Sequence, residues 1–454
     1  MNTDRALERQ KYRADPLADD TVAALIPAGA PQDTQGFSLA TRLMATWTTN
    51  ASLTHWQPEG PQADPQVVES LQRYLEQGRV LPEWVDAAKV ARAEQLFFEY
   101  GPLSCTLLFC SSLPECYLPP HLAKVLHIAG QLEAHTEHRI RQTAAMVFPV
   151  MMHGGLLSDD GSGVAQVLKV RLIHASIRHL ILRGNPSAAA GSIAPRMDAT
   201  APAGLHEALL AHGWSVDTQG LPCNQVELAY TLLTFSYCFL EGMRKLGQRL
   251  SRADEEAYLH AWNVMGHVLG IDTDLMAHTM DEAQSLFERI QSLSIDQQPS
   301  NDPRPALGGA LMGALAKSIR LPVIRQIPVP LTQWLIGRES AKIIGVAQRI
   351  SWLTRITFWL GLGLTRLIDT IVQWVVPSFS LTRMFTRVVG YHLITRFLLD
   401  QTRPLNLPEH LLDPLHQTVA AWDNDQKAPG WINRLEDRLT TTGPWRAVRK
   451  QQGG

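Results

Sequence analysis

Apolar residues recur every three or four positions through most of this chain, and this helical repeat limits the fold more than any other feature of the sequence. Hardly any stretch alternates between apolar and polar residues for long enough to predict a strand. The repeat is clearest over residues 91–100, 123–152, 165–182, 225–250, 254–269 and 280–293. The sequence therefore predicts an all-α fold, a bundle of many helices.

Composition divides the chain into three regions. The first 60 residues are rich in Pro, Gly, Thr and Ala, which favours an arm packed on a body. Near residue 300 the charge changes sign, because residues 1–299 hold 22 basic and 33 acidic side chains whereas residues 300–454 hold 19 and 10. We therefore expect an N-terminal arm at 1–60, a helical body at 61–298 and a basic, apolar helical extension at 299–454.

The overall charge and the N-terminal sequence limit the partners and the compartment. A net charge of -2 with 45% hydrophobic residues excludes a disordered chain and a strongly basic nucleic-acid binder. The first residues contain no apolar segment of the kind found in secretion signals, so a cytoplasmic protein is expected. None of the five cysteines forms a CxxC pair, which predicts reduced and buried thiols.

The basic extension contains a segment that allows two interpretations. Residues 317–396 hold eleven basic and two acidic side chains together with four tryptophans. No uncharged run in this segment exceeds 13 residues, short of the roughly 20 that span a bilayer. The segment is either a peripheral membrane contact, suited to anionic lipid, or a buried helical layer that completes the body with arginines outside.

A histidine between two arginines is the strongest chemical signal. Residues 170–178 read VRLIHASIR, and on a helix Arg171 and Arg178 lie on the same face as His174. The two cations should lower the pKa of the histidine and favour neutral imidazole, the form that binds a metal. The arginines would also suit an anionic partner such as the propionates of haem. The alternative is a core histidine beside surface arginines.

Two further patterns lie on predicted helices. Arg139, Gln142 and Thr143 form a polar face that either lines a cavity or is a solvated helix start. Later in the chain, Tyr258, Trp262, Gly266 and Gly270 follow one another at intervals of four, which predicts one helix face used for packing.

Several of these stretches, taken in order, resemble the latex clearing protein (rubber oxygenase) and MpaB-type oxygenase family. The resemblance covers about residues 75–290, and the set of motifs is far more specific than any single one. The matching segments are residues 81–86 (LPEWVD), 98–102 (FEYGP), 139–143 (RIRQT), 170–178 (VRLIHASIR), 224–228 (NQVEL) and 257–270 (AYLHAWNVMGHVLG).

The resemblance implies an all-α, haem-binding bundle with a globin-related core, in which a proximal histidine holds haem b and the haem activates dioxygen. It implies that His174 is the iron ligand, with Arg171 and Arg178 beside the cofactor. It also implies that Arg139 and Thr143 lie near the haem pocket as catalytic candidates. Rubber oxygenases have a lysine just before that threonine, where this chain has Gln142, so we expect an open or water-bound distal site.

The leading hypothesis is a haem b dependent oxygenase acting with dioxygen on a carbon–carbon double bond of an apolar, isoprenoid-like or lipid substrate. The lack of an export signal argues against extracellular polyisoprene as that substrate. One alternative is a noncatalytic haem protein for sensing, storage or electron transfer. Another is a membrane-associated helical interaction protein without a cofactor.

Overall fold

Helices make up nearly all the regular structure of the described residues, so the all-α prediction is confirmed. The structure is a computed structural model. It describes residues 3–26, 34–58, 64–130, 136–195, 209, 212–248, 250–294, 301–319, 325–347, 352–374, 380–394, 428 and 430–434.

The helices of the first half are α1 (Thr3–Gln10), α2 (Pro16–Leu25), α3 (Thr34–Ala45), α4 (Pro65–Gly78), α5 (Ala87–Tyr100), α6 (Pro102–Leu107), α7 (Leu113–Glu115), α8 (Pro120–Gly130), α9 (Thr136–Met151) and α10 (Gly163–Leu182). A π-helical segment, Leu108–Ser112, joins α6 to α7. Two short antiparallel strands follow, β1 (Ser192–Ile193) and β2 (Trp214–Ser215).

The remaining helices are α11 (Val216–Gln219), α12 (Gln225–Phe235), α13 (Tyr237–Lys245), α14 (Arg252–Val268), α15 (Met280–Ser294), α16 (Arg304–Ser318), α17 (Pro328–Ile336), α18 (Arg338–Ile343), α19 (Trp352–Gln373) and α20 (Leu381–Ile394). Short 3₁₀ turns lie at Ala51–Leu53, Pro186–Ala188 and Thr273–Leu275.

Helix α10 lies in the interior, where it packs against α2, α9 and α14. Because α2 comes from the N-terminal arm, that arm is part of the core. Val22 and Trp47 have no exposed surface and belong to the same hydrophobic cluster as residues of α10. The arm therefore packs on the body and contributes directly to the surroundings of α10.

The C-terminal extension shares that hydrophobic cluster, which includes Leu311, Leu335 and Leu393. Helix α20 packs tightly on α6, and a Cβ at Gly390 would lie 1.8 Å from the carbonyl oxygen of Pro102. Helices α17 and α20 are therefore buried layers, as one interpretation of residues 317–396 expected, but Arg383 and Arg387 of α20 are buried and do not lie on its outer face. Helix α19 differs, because it leaves large apolar side chains exposed.

Within the described ranges, no single helix has both the length and the apolar character to cross a bilayer. One bent pair, Ala87–Tyr100 followed by Pro102–Glu115, meets those criteria only when its two halves are counted together.

Three helix predictions need correction. The repeat over residues 123–152 is interrupted, since α8 ends at Gly130 and α9 begins at Thr136. The repeat over 225–250 is divided by Ser236, whose φ of -99° and ψ of -71° lie outside regular helix values. Gly270 lies beyond the end of α14 with φ +89°, because glycine in this left-handed region ends helices without strain.

The cysteine prediction is confirmed. All five cysteines are buried and have free thiols.

Candidate functional site

Helix α10 carries the central histidine and is buried along almost its whole length. It ends at Arg183, which adopts left-handed φ and ψ values of 59° and 33°. The residues of α10 that keep some accessible surface are Lys169, Val170, Ile173, His174 and Ile177.

Four of these residues follow the spacing i, i+3, i+4, i+7 and therefore share one side of the helix. We call Val170, Ile173, His174 and Ile177 the His174 strip. Ile173 is the most open of them, at 37% exposed. An apolar strip left uncovered on an otherwise buried helix is a surface on which a flat apolar molecule can pack.

His174 is chemically suited to bind a metal from this strip. Its Nδ1 is buried without a hydrogen-bond partner, and the side chain bonds to no described residue. Burial, and then the charge of Arg178, lower the pKa of the imidazole to about 4, against a smaller opposing effect of Asp15. This pKa agrees with the expected neutral imidazole, and burial contributes more to it than Arg178 does.

The two arginines are buried and paired with carboxylates of α2. Arg171 Nη2 lies 2.8 Å from Asp15 Oδ1, and Arg178 Nη2 lies 2.7 Å from Asp19 Oδ1. The alternative interpretation placed the arginines on the surface, and this part of it is wrong, since Arg178 is only 1% exposed. Both guanidinium groups hold the N-terminal arm against the helix that carries His174.

Backbone carbonyls complete this anchorage. Arg171 Nη1 donates to the carbonyl of Val268 at 3.0 Å, and Arg178 Nη1 donates to that of Cys223 at 2.7 Å. Gly270 leaves room for the Arg171–Asp15 ion pair, because a Cβ there would lie 2.6 Å from Asp15 Oδ2. The predicted packing role holds for Gly266, which faces Leu232, whereas Gly270 serves the ion pair.

Helix α9 carries the second predicted set of site residues and packs directly against α10. On α9, Gln142 is exposed and Thr143 is partly buried. The backbone of Arg139 lies in the helix, but its side chain is outside the described part of the structure. The fold thus brings the two predicted helices together, and the catalytic roles of these three residues stay predictions.

Sequence reasoning missed Asp15 and Asp19. Asp15 and Asp19 are four residues apart, and the arginines that they bind are seven apart on α10. Each pair therefore lies on one side of a helix, and this spacing could have suggested that the two sides face each other. Nothing local identifies the partner, because 156 residues separate Asp15 from Arg171.

Two other features lie away from the strip. In the described ranges, no three His, Cys, Asp or Glu side chains are grouped closely enough to hold a metal ion together. A polar groove of about 780 Å³ opens on the outer side of the Asp15–Arg171 pair, lined by residues of both charges, and His174 is not among its lining residues. The strip therefore remains the candidate site.

Glu115 and Glu227 predict a pH dependence of stability. Burial raises the pKa of each carboxyl group to about 8, so each stays protonated in the folded protein at neutral pH. The unfolded chain ionises them near their ordinary pKa, so stability should fall as pH rises from 6.5 to 8, by at most about 1.4 kcal/mol per pH unit for each group. Histidines whose pKa is lowered by burial, such as His174, oppose this fall below about pH 7, because the unfolded chain still protonates them in part near the ordinary histidine pKa of about 6.5.

Urea unfolding at pH 6.5 and 8 measures this effect. The Glu115→Gln/Glu227→Gln variant should lose most of this fall in stability, whereas Glu69→Gln, on an exposed side chain, should keep it. An unchanged slope in the double variant would contradict the assignment.

The sequence and the structure of this chain are both similar to those of known proteins. A family model described as "ER-bound oxygenase mpaB/B'/Rubber oxygenase, catalytic domain" matches residues 108–368. Rubber oxygenase of Streptomyces sp. (strain K30) is 25% identical over 342 residues, which is 75% of this chain and 72% of that protein. The solved structure of latex clearing protein in the closed state has a TM-score of 0.58 at 21% identity, covering 90% of this chain and 91% of the other.

The matched range contains α9, α10 and the whole His174 strip, and it continues past residue 300 as far as α19. The similarity therefore includes helices on both sides of the change in charge.

Proposed function

We propose that this chain, which belongs to the ER-bound oxygenase mpaB/B'/rubber oxygenase family, uses haem b and dioxygen to oxidise a carbon–carbon double bond of an apolar substrate. Family membership makes the chain an oxygenase, an enzyme of the oxidoreductase class. The haem and an isoprenoid-like or lipid substrate are our proposal. One observation carries it: a neutral imidazole without a hydrogen-bond partner lies in an accessible apolar strip.

The residues present fit a haem group. His174 would hold the iron through its imidazole, and the apolar side chains of the strip, Val170, Ile173 and Ile177, would pack against the flat macrocycle. When bound, haem supplies the site at which dioxygen binds and is activated. The protein keeps the imidazole unprotonated by burying it close to the charge of Arg178.

Residues of α9 and α10 would shape the rest of the pocket. We assign Arg139, Gln142 and Thr143 to the side formed by α9, where they would orient the substrate. Gln142 offers no amine to the iron, which supports an open or water-bound distal position.

Charged groups around the strip have separate roles in the proposal. Arg171 and Arg178 position His174 by holding α2 against α10, and their contact with haem propionates stays a prediction. Lys169 lies next to the strip and has no hydrogen-bond or ion-pair partner among the described residues; burial lowers its pKa to about 8. It is a second cation that a propionate or an acidic substrate group could meet.

The proposal places the enzyme in the cytoplasm, in peripheral contact with a membrane that holds its apolar substrate. Five buried free thiols are in keeping with a reducing compartment.

The absorption spectrum of purified protein, expressed with ample haem, tests the cofactor. A Soret band that shifts on reduction is expected, and its absence would overturn the proposal. Oxygen uptake with a panel of polyenes and prenylated lipids tests the activity. A Soret band without uptake on any substrate would favour the noncatalytic haem protein.

A further inference from the structure

Helix α19 presents a continuous apolar face to solvent. The exposed residues recur with helical spacing over the whole helix, and each is at least 45% exposed. Trp374, just after the helix, is 90% exposed. We call this set the α19 face: Trp352, Ile356, Trp359, Leu360, Leu364, Leu367, Ile371 and Trp374.

The opposite side of α19 is packed, so the orientation of the helix is set by the fold. Ile368 and Val372 pack against the buried Met384 of α20. Phe358 packs against the main hydrophobic cluster. The α19 face is therefore the outer surface of an anchored helix.

The α19 face has no negative charge. Asp369, the one acidic residue of α19, is only 7% exposed and accepts hydrogen bonds from the backbone N–H groups of Leu381 and Thr382 at 2.6 and 3.1 Å. The surrounding segment, residues 317–396, has eleven basic and two acidic side chains. Arg383 and Arg387 are buried, whereas the exposed basic side chains among its described residues are Lys317, Arg325, Arg338 and Lys342. An apolar face within a basic segment complements a bilayer surface, where anionic headgroups lie over an apolar interior.

We propose that the α19 face lies in the headgroup region of a bilayer that contains anionic lipid, with α19 parallel to the membrane plane. Eight large apolar side chains on one face exceed the scattered apolar residues of ordinary protein surfaces. Tryptophan favours the interface between hydrocarbon and headgroups, and each basic residue near an anionic surface adds about 1 kcal/mol of attraction. This inference deepens the membrane contact of the proposed function and does not depend on haem.

Vesicle co-sedimentation of the full chain tests the inference. Vesicles of phosphatidylcholine with about 30% phosphatidylserine should bind the protein more tightly than pure phosphatidylcholine, and added salt should weaken the binding. The Leu360→Glu/Leu367→Glu variant should bind at least tenfold more weakly, since it places two charges in the contact. Its matched control, Val80→Glu/Leu157→Glu, adds the same charge to exposed apolar positions elsewhere and should bind as the unmodified chain does.

Equal binding of all three proteins would overturn the inference. So would a dimer of the unmodified chain in light scattering that becomes monomeric in Leu360→Glu/Leu367→Glu, because the α19 face would then be a contact between two copies. The Soret band and oxygen uptake with detergent-dispersed substrate should be unchanged in this variant. Loss of vesicle binding alone therefore separates this inference from the haem proposal.

Discussion

Replacing His174 with glycine is expected to remove the Soret band from protein purified after expression with ample haem. The imidazole would be the only bond from α10 to the iron, and losing even an outer partner of a ligand costs about 10–100-fold in metal affinity. We therefore expect haem to bind at least about a hundredfold more weakly. Titration of the apo-protein with haem, followed at the Soret band, measures the change.

Added imidazole should restore the band in His174→Gly, because the free ligand can occupy the space that the side chain leaves. His153→Ala serves as the control, since that side chain is 99% exposed and lies outside α10. Full haem content in His174→Gly, with unchanged haem affinity, would show that another residue holds the iron.

Breaking the pair between Arg178 and Asp19 should give the largest loss of stability. Both side chains are almost completely buried, so Arg178→Met leaves an unpaired carboxylate in the interior, at a cost of about 3–5 kcal/mol in the free energy of unfolding. Asp19→Leu should cost about as much, because it leaves a buried guanidinium group. The double variant should recover at least half of the loss, although the carbonyl of Cys223 still lacks its donor.

Urea unfolding of the two single variants and the double variant gives the coupling energy between the residues. Arg73→Ala breaks an exposed pair with Glu69 and should leave stability nearly unchanged. Additive losses in the double variant would mean that the two buried charges do not stabilise each other.

The sequence predicted the helical class and the position of His174 because both depend on local spacing. The i-3 and i+4 arginines around His174 and the apolar repeat of α10 lie within one helix, where geometry follows directly from residue number. The same reasoning failed at Ser236 and at Gly270, where the apolar repeat continues past a helix end that backbone conformation determines.

Residues 317–396 also show what local sequence leaves open. Their composition is basic and apolar throughout, and it is equally compatible with a buried layer and with a membrane contact. Tertiary packing separated them, covering α17 and α20 with other helices while leaving the α19 face exposed. Composition states how much apolar surface a segment has, but not which neighbours cover it.

By itself, then, the sequence determined an all-α chain with a histidine suited to metal binding on an apolar helix. Only the tertiary structure decided that Asp15 and Asp19 neutralise the arginines, that burial more than charge keeps His174 unprotonated, and that the His174 strip stays accessible. These properties depend on contacts between residues more than 150 positions apart, and local spacing carries no information about such contacts.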